Sequence, residues 1–594
     1  MRHRALLVLA VSGILGFRVG MVVFPDWQVA VETAQVVAGI VKYPATTPFF
    51  LYHTKLWTLL HQVLAVFLRV GVSEVWLSLI LSGLMGMVSF QALAMFVFAL
   101  SDDVLMAMGA PLVMLVARAS EFGVVYPILL AGSVNTYGIL GLSLFVLVIG
   151  LFGAGCYRTA GFLLGVAPSI HPALGFWLFV VVGVCFVWDR ERLRATSPAG
   201  LRFFVAGCLV TAISLTVHLT SAFPAPAIEP AISARYLATF VALWDAHRQP
   251  VPLRADGVIL NLGALAIALV WLFAFAADLS RSAAFILRAV IVAAALSLAF
   301  VWASWIPAEK LPSDLLILMP TRVANFNAMT FAALLLGLAG AYRARWWSPV
   351  LAGLFSAGLL LGVRSLLWGW LETAGSVSGV PRWASWFDVW HVLEIASLAL
   401  VILGVSAWIS RRSNPAGRRV ASVSSVVPLI AARTAWVTLV VLLGVITWRQ
   451  AAPRMRIFED YTTNTVFHEA ASGSGLLLTG GNLNLIQLRT RRPVLLNGGG
   501  LDGLPYALDG GPEMERILRD IYAIDFFNPP EEARRVGILP NRYNKAVWEQ
   551  FSPDKWRTIR YAYQVSQVLT QAGWTLNLPV IAQDRDHRLY QIPD

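Results

Sequence analysis

Long apolar segments recur along the chain as far as residue 448, and short polar or basic stretches separate them. Of the 594 residues, 58% are hydrophobic and 13% are charged. A soluble domain cannot cover that much apolar surface, whereas a lipid bilayer removes the need to cover it. The sequence therefore predicts a mainly α-helical protein, a polytopic bundle of transmembrane helices.

Segment length and the charges between segments indicate about 11 to 13 membrane-spanning helices. Several segments are short, and Pro168 and Pro172 in "GVAPSIHPALGFW" make two broken helices an alternative to two full crossings. The apolar segments lie at 5–24, 75–100, 104–118, 138–154, 159–170, 173–188, 203–223, 257–277, 284–305, 326–342, 348–371, 390–410 and 424–448.

Arginine-rich clusters indicate how the helices are oriented. The net charge is +12, and the basic residues gather in short loops such as "MRHR", "DRERLR" and "RRSNPAGRR". Short basic loops are typical of the cytoplasmic side of a membrane, and these clusters fall on one side if successive segments cross alternately. We therefore expect a cytoplasmic N-terminus and an outer location for everything after Arg449. Because the membrane accounts for these loops, they argue against nucleic acid as a partner.

The composition changes after the last apolar segment, where charged residues, Gly, Asn and Pro become common. We expect a transmembrane domain over 1–448 and a small soluble α/β domain over 449–594. In the second domain "GSGLLLTGG", "NLIQLRTRRPVLLNGGG" and "HRLYQIP" predict strands, and "GPEMERILRDIYAI" and "PDKWRTIRYAYQVSQVLTQAG" predict helices. Two outer loops, "TTPFFLYHTKLWTLLHQVLAVFLRV" and "PAISARYLATFVALWDAHRQPVPLRAD", are predicted to lie in the membrane interface.

The stretch "FPDWQ" places a carboxylate directly after the first apolar segment. There Asp26 is partly removed from water, where a carboxylate is a better proton acceptor near neutral pH. Asp26 is therefore the first candidate for a catalytic base, and Glu32, two turns later, is the second. The alternative is that Asp26 caps the helix that follows it.

Candidates for substrate binding lie in the loops on the same side of the membrane. His171 stands between two prolines, and irregular backbone at membrane depth is tolerated only where it lines a cavity or is buried in protein. Arg322, in "LMPTRVANF", carries a planar guanidinium that can hold a phosphate through two hydrogen bonds. Each cation also has an ordinary alternative role in capping a helix or in reaching the lipid headgroups. The remaining candidates are Trp27, Lys42, His53 and Arg235.

Two further patterns have ordinary explanations. "GGGLDG" matches G-x-G-x-x-G at Gly498, Gly500 and Gly503, but a dinucleotide site needs these glycines to open a helix that faces the pyrophosphate. The next helix is predicted to begin only near Pro512, so we expect a tight, glycine-lined turn. The three cysteines lie in or beside apolar segments, with no disulfide framework and no spacing typical of metal ligands.

Several of these features together resemble the GT-C class of membrane glycosyltransferases. They are the first helix ending in "FPDWQ", the acid-bearing first outer loop with amphipathic helices, about a dozen spans and the outer C-terminal domain. The C-terminal "LLLTGGNLNLIQLRTRRPVLLNGGG" is also similar to soluble domains in uncharacterised bacterial relatives of that class. The resemblance implies an enzyme of the bacterial inner membrane that acts in cell-envelope polysaccharide assembly, with a periplasmic C-terminal domain. It further implies a sugar donor carried on polyprenyl phosphate and a glycan, lipid or protein acceptor.

The resemblance also implies a mechanism, in which an acid of the first outer loop acts at the acceptor and the anomeric carbon is inverted. Asp26 would then take the acceptor proton, and His171, Arg235 and Arg322 would stabilise the phosphate leaving group. The first outer loop lacks a D-D or E-x-D pair, since Asp26 and Glu32 are six residues apart, and the chain has no W-W-D-Y-G-type signature. No cofactor is implied, and a divalent metal is left open.

Two other classes of function are alternatives. A flippase or other transporter of lipid-linked glycans would also need cations that face a cavity. It would not usually carry a large outer domain, nor gather its polar groups on one side of the membrane. A non-catalytic subunit of polysaccharide assembly would keep the same fold and tolerate the loss of an acid.

Overall fold

A computed structural model describes residues 2–116, 136–221, 228–245, 247–276, 279–342, 457–458, 463–480, 483–534 and 541–594. Helices dominate this part of the chain as far as residue 342, and a small four-stranded sheet appears near its C-terminal end. The apolar segments predicted at 348–371, 390–410 and 424–448 lie outside the described residues.

Each predicted apolar segment that the structure describes coincides with a helix. The helices of this N-terminal part are α1 (Arg2–Arg18), α2 (Val29–Val37), α3 (Pro48–Lys55), α4 (Leu59–Arg69), α5 (Glu74–Ser101), α6 (Val104–Val116), α7 (Thr136–Gly153), α8 (Tyr157–Ile170), α9 (Pro172–Trp188), α10 (Arg190–Ser221), α11 (Pro230–Thr239), α12 (Asp256–Ala274), α13 (Arg281–Ala303), α14 (Ser313–Leu318) and α15 (Ala324–Ala341).

Six helical stretches among the described residues are long and apolar enough to cross a membrane, which supports the prediction of a membrane protein. Between them lie shorter apolar helices, among them Tyr137–Gly153 and Pro172–Trp188. The long stretches are His3–Val23, Glu74–Ser101, Gly200–Ser221, Asp256–Ala274, Arg281–Ala303 and Ser313–Ala341.

The contacts between helix ends separate the two ends of the bundle. At one end Arg4 of α1 forms an ion pair of 2.9 Å with Asp102, directly after α5, and Arg288 of α13 pairs with Asp189, directly after α9. At the opposite end of α1 and α5, the backbone N–H of Asp26 donates to Ser82 Oγ of α5 at 3.2 Å. We term this second end of the bundle the loop face.

The C-terminal part is a mixed α/β structure. Its sheet has the order β1-β2-β4-β3, in which β1 and β2 are parallel and β4 runs antiparallel to both of its neighbours. Its elements are α16 (Thr465–Ser472), β1 (Leu476–Thr479), α17 (Ile486–Thr490), α18 (Gly498–Asp502), α19 (Gly511–Tyr522), α20 (Asn541–Trp548), α21 (Pro553–Tyr563), β2 (Val565–Gln571), β3 (Val580–Gln583) and β4 (His587–Gln591).

Most of the predicted elements in this part are confirmed, and two are wrong in part. "GSGLLLTGG" and "HRLYQIP" contain strands β1 and β4, and "GPEMERILRDIYAI" contains helix α19. The segment "NLIQLRTRRPVLLNGGG" holds helix α17 and only a bridge at Val494, because α17 packs against α2 instead of joining the sheet. The helix predicted over "PDKWRTIRYAYQVSQVLTQAG" ends at Tyr563, and Gln564, with φ +57°, turns the chain into β2, the buried centre of the sheet.

The glycine-rich segment that resembles a nucleotide motif packs the C-terminal part against the loop face. It forms one helical turn, α18, followed by two short 3₁₀ turns, with α19 beginning at Gly511. A Cβ atom on Gly500 would lie 2.9 Å from the Phe49 ring of α3, and one on Gly503 would overlap the Tyr52 ring. The glycines are therefore needed for close approach to α3, a structural role that differs from the tight turn expected.

Substitution of Gly503 by Ala should loosen this contact, because the added methyl group must displace the buried ring of Tyr52. We expect Gly503→Ala to lower the free energy of unfolding by about 1–3 kcal/mol, as overpacking usually does. Thermal unfolding in detergent measures the change, with Gly573→Ala as the matched control because its Cβ would meet nothing within 4 Å. Equal midpoints for the two variants would contradict the packing role of Gly503.

Candidate functional site

Asp26 lies where the first helix reaches the loop face. After α1 the chain forms one π-helical turn, Val19–Val23, and Asp26 follows in an irregular segment. The Asp26 carboxylate accepts a hydrogen bond of 2.8 Å from the backbone N–H of Trp27. Helix α2 has Gln28 as its N-cap residue, without a side-chain cap. The Asp26 carboxylate therefore accepts from the residue directly before the N-cap of α2.

Arg489 of the C-terminal part approaches both candidate acids, Asp26 and Glu32. It lies in α17, its guanidinium carbon is 5.9 Å from the centre of the Trp27 ring, and it interacts electrostatically with Asp26 and Glu32. Trp27 is 1% exposed. The predicted candidates Asp26, Trp27 and Glu32 are thus brought together around a cation that sequence reasoning missed.

Glu32 is buried, and one of its carboxyl oxygens has no hydrogen-bond partner. Burial raises the pKa of Glu32 to about 8, although the backbone N–H of Leu488 and the charge of Arg489 act in the opposite direction. Glu32 is therefore mainly protonated at pH 7. A neutral carboxyl group here costs less than a buried charge with incomplete hydrogen bonding.

Next to Glu32, a network of polar side chains joins α2 to α17. Gln487 donates to the backbone oxygen of Glu32 at 2.9 Å and to Gln35 Oε1 at 3.2 Å. Gln35 in turn donates to Glu74 at 3.1 Å, and Arg491 binds the same carboxylate through two hydrogen bonds of 2.8 Å. We term these contacts the α2–α17 seam.

His171 and Arg322 form a second group on the loop face. Helix α8 ends at Ile170 and α9 begins at Pro172, so the chain breaks at His171 as predicted, although Pro168 lies within α8 and does not end it. His171 has extended backbone angles, and its Nδ1 accepts a hydrogen bond of 3.3 Å from the N–H of Leu174. Its Nε2 lies 3.2 Å from Nη1 of Arg322. The structure therefore places next to each other two residues that were predicted from the sequence as separate candidates.

The geometry of this pair gives Arg322 a defined position. Both ring nitrogens of His171 face N–H groups, Nδ1 the backbone N–H of Leu174 and Nε2 the guanidinium of Arg322. A guanidinium group can only donate and keeps its charge. His171 therefore positions a cation on the loop face, and a cation in this place would attract an anionic ligand. The hydroxyls of Tyr52 and Tyr137, 3.1 Å apart, lie nearby, since the Tyr137 ring is 6.3 Å from the His171 ring.

The loop before α12 and the C-terminal part contribute charged groups next to this pair. Arg248 forms a buried ion pair with Asp245 and donates to Tyr506 Oη at 3.3 Å. His247 Nε2 is 3.9 Å from the carboxylate of Asp502 in α18. Asp502 interacts electrostatically with Arg322 and Arg248 as well as with His247. Sequence reasoning missed Asp502, although the glycines around it were a visible signal.

An apolar cavity of about 340 Å³ lies beside this group, between the end of α13 and the segment that leads to α15. Arg248 is its charged lining residue, and Thr321, the neighbour of Arg322, also lines it. Its apolar lining includes Phe300, Trp305, Leu311, Leu315 and Met319.

The remaining predicted residues are distributed around these groups. Lys42 is exposed, and the exposed Arg235 places its guanidinium carbon 4.1 Å from the centre of the Phe527 ring. His53 is fully buried, and its Nδ1 lies 2.9 Å from Thr33 Oγ1. Burial is the main cause that lowers the pKa of His53 to about 3, so its ring is neutral. His53 therefore occupies a core position between α2 and α3.

Comparisons with protein-family models, with curated proteins and with solved structures found no match. Within the part of the chain that the structure describes, no three His, Cys, Asp or Glu side chains are grouped closely enough to hold a metal ion. A function must therefore be inferred from the two groups of residues on the loop face.

Stability should depend on pH through Glu32. Between pH 4.5, the usual value for glutamic acid, and about pH 8, the folded protein keeps a proton on Glu32 that the unfolded chain releases. Raising the pH through this window therefore lowers the free energy of unfolding, by at most about 1.4 kcal/mol per pH unit. Glu32→Gln should remove this component.

Thermal unfolding of the detergent-solubilised protein between pH 5 and 8.5 measures the effect. Glu469→Gln is the control, since Glu469 is exposed and should leave the pH dependence unchanged. If Glu32→Gln keeps the native pH dependence, then Glu32 is already ionised in the folded protein.

Proposed function

We propose that this protein is a membrane glycosyltransferase of the GT-C type, which transfers a sugar from a polyprenyl-phosphate donor to an acceptor on the outer side of the bacterial inner membrane. In this proposal the N-terminus is cytoplasmic and the loop face and C-terminal part are periplasmic. The observation that carries the proposal is the guanidinium group of Arg322, positioned 3.2 Å from Nε2 of His171 at the end of an apolar bundle.

The surroundings of this pair fit a donor that is both charged and apolar. A phosphate linked to a polyprenyl chain needs cations for its oxygens and apolar surface for its chain. Arg322 supplies the cation, and the cavity lined by Phe300, Trp305 and Leu315 supplies apolar surface next to it. A soluble sugar nucleotide would not need such a cavity at the end of membrane helices.

The proposed reaction places negative charge on the phosphate as the bond to the sugar breaks. Arg322 lies in the 3₁₀ turn that precedes α15, and His171 is the N-cap residue of α9, so the cation is already in place next to the charge that develops. The acceptor hydroxyl must lose a proton at the same time, and Asp26 and Asp502 are candidate carboxylates on the loop face. No step in this scheme requires the buried Glu32 to ionise.

Replacement of Arg322 by Lys tests the phosphate-binding role. Lysine keeps the charge but loses the planar fork, and a hydrogen bond to a charged group contributes about 1.5–3 kcal/mol, so we expect affinity for polyprenyl phosphate to fall about ten- to a hundred-fold. Binding of a fluorescent polyprenyl phosphate to the purified protein in nanodiscs is the measurement. Arg254→Lys is the control, because Arg254 is an exposed arginine of the loop before α12.

The same preparations separate the three classes of function. Sugar transfer from a labelled polyprenyl-phosphate donor supports the enzyme. Movement of the labelled lipid across a proteoliposome membrane without transfer would indicate a transporter instead. If the native protein and Arg322→Lys bind polyprenyl phosphate equally, the proposal fails at its central observation.

A further inference from the structure

Asp502 is the carboxylate that the C-terminal part presents to the phosphate-binding pair. It is the last residue of the one-turn helix α18. Its carboxylate is 3.9 Å from Nε2 of His247, and 42% of its side chain is exposed. An acid that is accessible and yet close to several cations can meet a ligand bound by those cations.

The glycines around Asp502 explain how it reaches this position. Gly500 and Gly503 leave no room for a side chain against Phe49 and Tyr52 of α3, so α18 approaches the loop face as closely as its backbone permits. That approach places Asp502 within electrostatic reach of the hydroxyls of Tyr52 and Tyr137. These are the hydroxyls next to His171, and Asp502 also interacts electrostatically with Arg322.

The other acids near the pair are less suited to contact a substrate. Asp245 is fully buried and forms an ion pair with Arg248. Asp26 interacts with Arg489, on the side of the α2–α17 seam. Asp502, in contrast, interacts with Arg322 itself, the residue proposed to hold the phosphate.

We propose that Asp502, rather than Asp26, is the catalytic base of the transfer. The acceptor oxygen forms its bond to the anomeric carbon while its proton passes to the Asp502 carboxylate. The bond between the anomeric carbon and the phosphate oxygen breaks, and its electron pair leaves with the phosphate held by Arg322 and His171. The proton on Asp502 then returns to solvent. This role rests on the proposed function and adds to it the residue that the C-terminal part supplies.

Electrostatics support the role of a base. Partial removal from water is the largest cause that raises the pKa of Asp502 above the usual aspartate value, Asp245 acts in the same direction, and His247, Arg248 and Arg322 oppose it. Because a base acts in its ionised form, kcat/KM should rise with pH through a pKa above that of an ordinary aspartate. The titratable and charged groups that face Asp502 from the surrounding elements are Tyr52, Tyr137, Asp245, His247, Arg248 and Arg322.

The experiment compares Asp502→Asn with Asp26→Asn in nanodiscs that contain a labelled polyprenyl-phosphate sugar and an acceptor. General-base assistance contributes about a hundred- to ten-thousand-fold, so we expect Asp502→Asn to lower the transfer rate by that factor and to lose the rising limb of the pH profile. Its affinity for polyprenyl phosphate should be unchanged or tighter, because a negative charge near the phosphate is removed. Asp26→Asn should lower the rate by a smaller factor than Asp502→Asn does, because Asp26 interacts with Arg489 on the side of the α2–α17 seam.

Two further variants keep the result interpretable. Asp502→Glu retains a carboxylate and should recover part of the lost rate, which a purely structural role would not explain. Glu532→Gln, an exposed acid of the C-terminal part, should leave the rate unchanged. Native-like transfer by Asp502→Asn would overturn the role of Asp502 and leave the proposed function intact. A native protein that binds the lipid but transfers no sugar to any acceptor would overturn both.

Discussion

The α2–α17 seam is the interaction on which both groups of candidate residues depend. It joins the membrane helices to the C-terminal part through Gln35, Glu74, Gln487 and Arg491, and the two hydrogen bonds between Arg491 and the buried Glu74 close it. Once Glu74 is buried, its charge needs this partner, because an unpaired buried carboxylate is costly. The seam therefore orients α17, which carries Arg489, and fixes the C-terminal part against the loop face, where α18 carries Asp502.

The carboxyl groups of the loop face have different roles because their local surroundings differ. Glu32 is buried without a full set of hydrogen bonds, so it keeps its proton and contributes to packing. Glu74 is also buried but accepts two hydrogen bonds from Arg491. Asp502 lies between cations and is still accessible. Only the last arrangement combines charge with access, which is what a group that acts on a substrate requires.

The structural features that depend on local sequence pattern were predicted correctly. Apolar runs predicted the helices, and Pro172 marked the break between α8 and α9. Arg322 was predicted as a candidate from its residue type, whereas its position next to His171 follows only from the fold. The residues missed, Arg489 and Asp502, come from distant parts of the chain, so their partners could not be read from local spacing. The same long-range packing overrode the strand pattern in α17, where alternating apolar and polar residues form a helix against α2.

The preference of the His171–Arg322 pair for an anion does not depend on these two side chains alone. Helix α9 begins at Pro172 and α15 at Ala324, so the N-terminal ends of two long helices lie next to the pair. A helix N-terminus carries a partial positive charge and unpaired N–H groups. This field favours negative charge in front of Arg322, while Nδ1 of His171 accepts the N–H of Leu174 as the cap of α9. The broken helix pair thus supplies both the irregular backbone that orients His171 and the positive potential that an anionic ligand would meet.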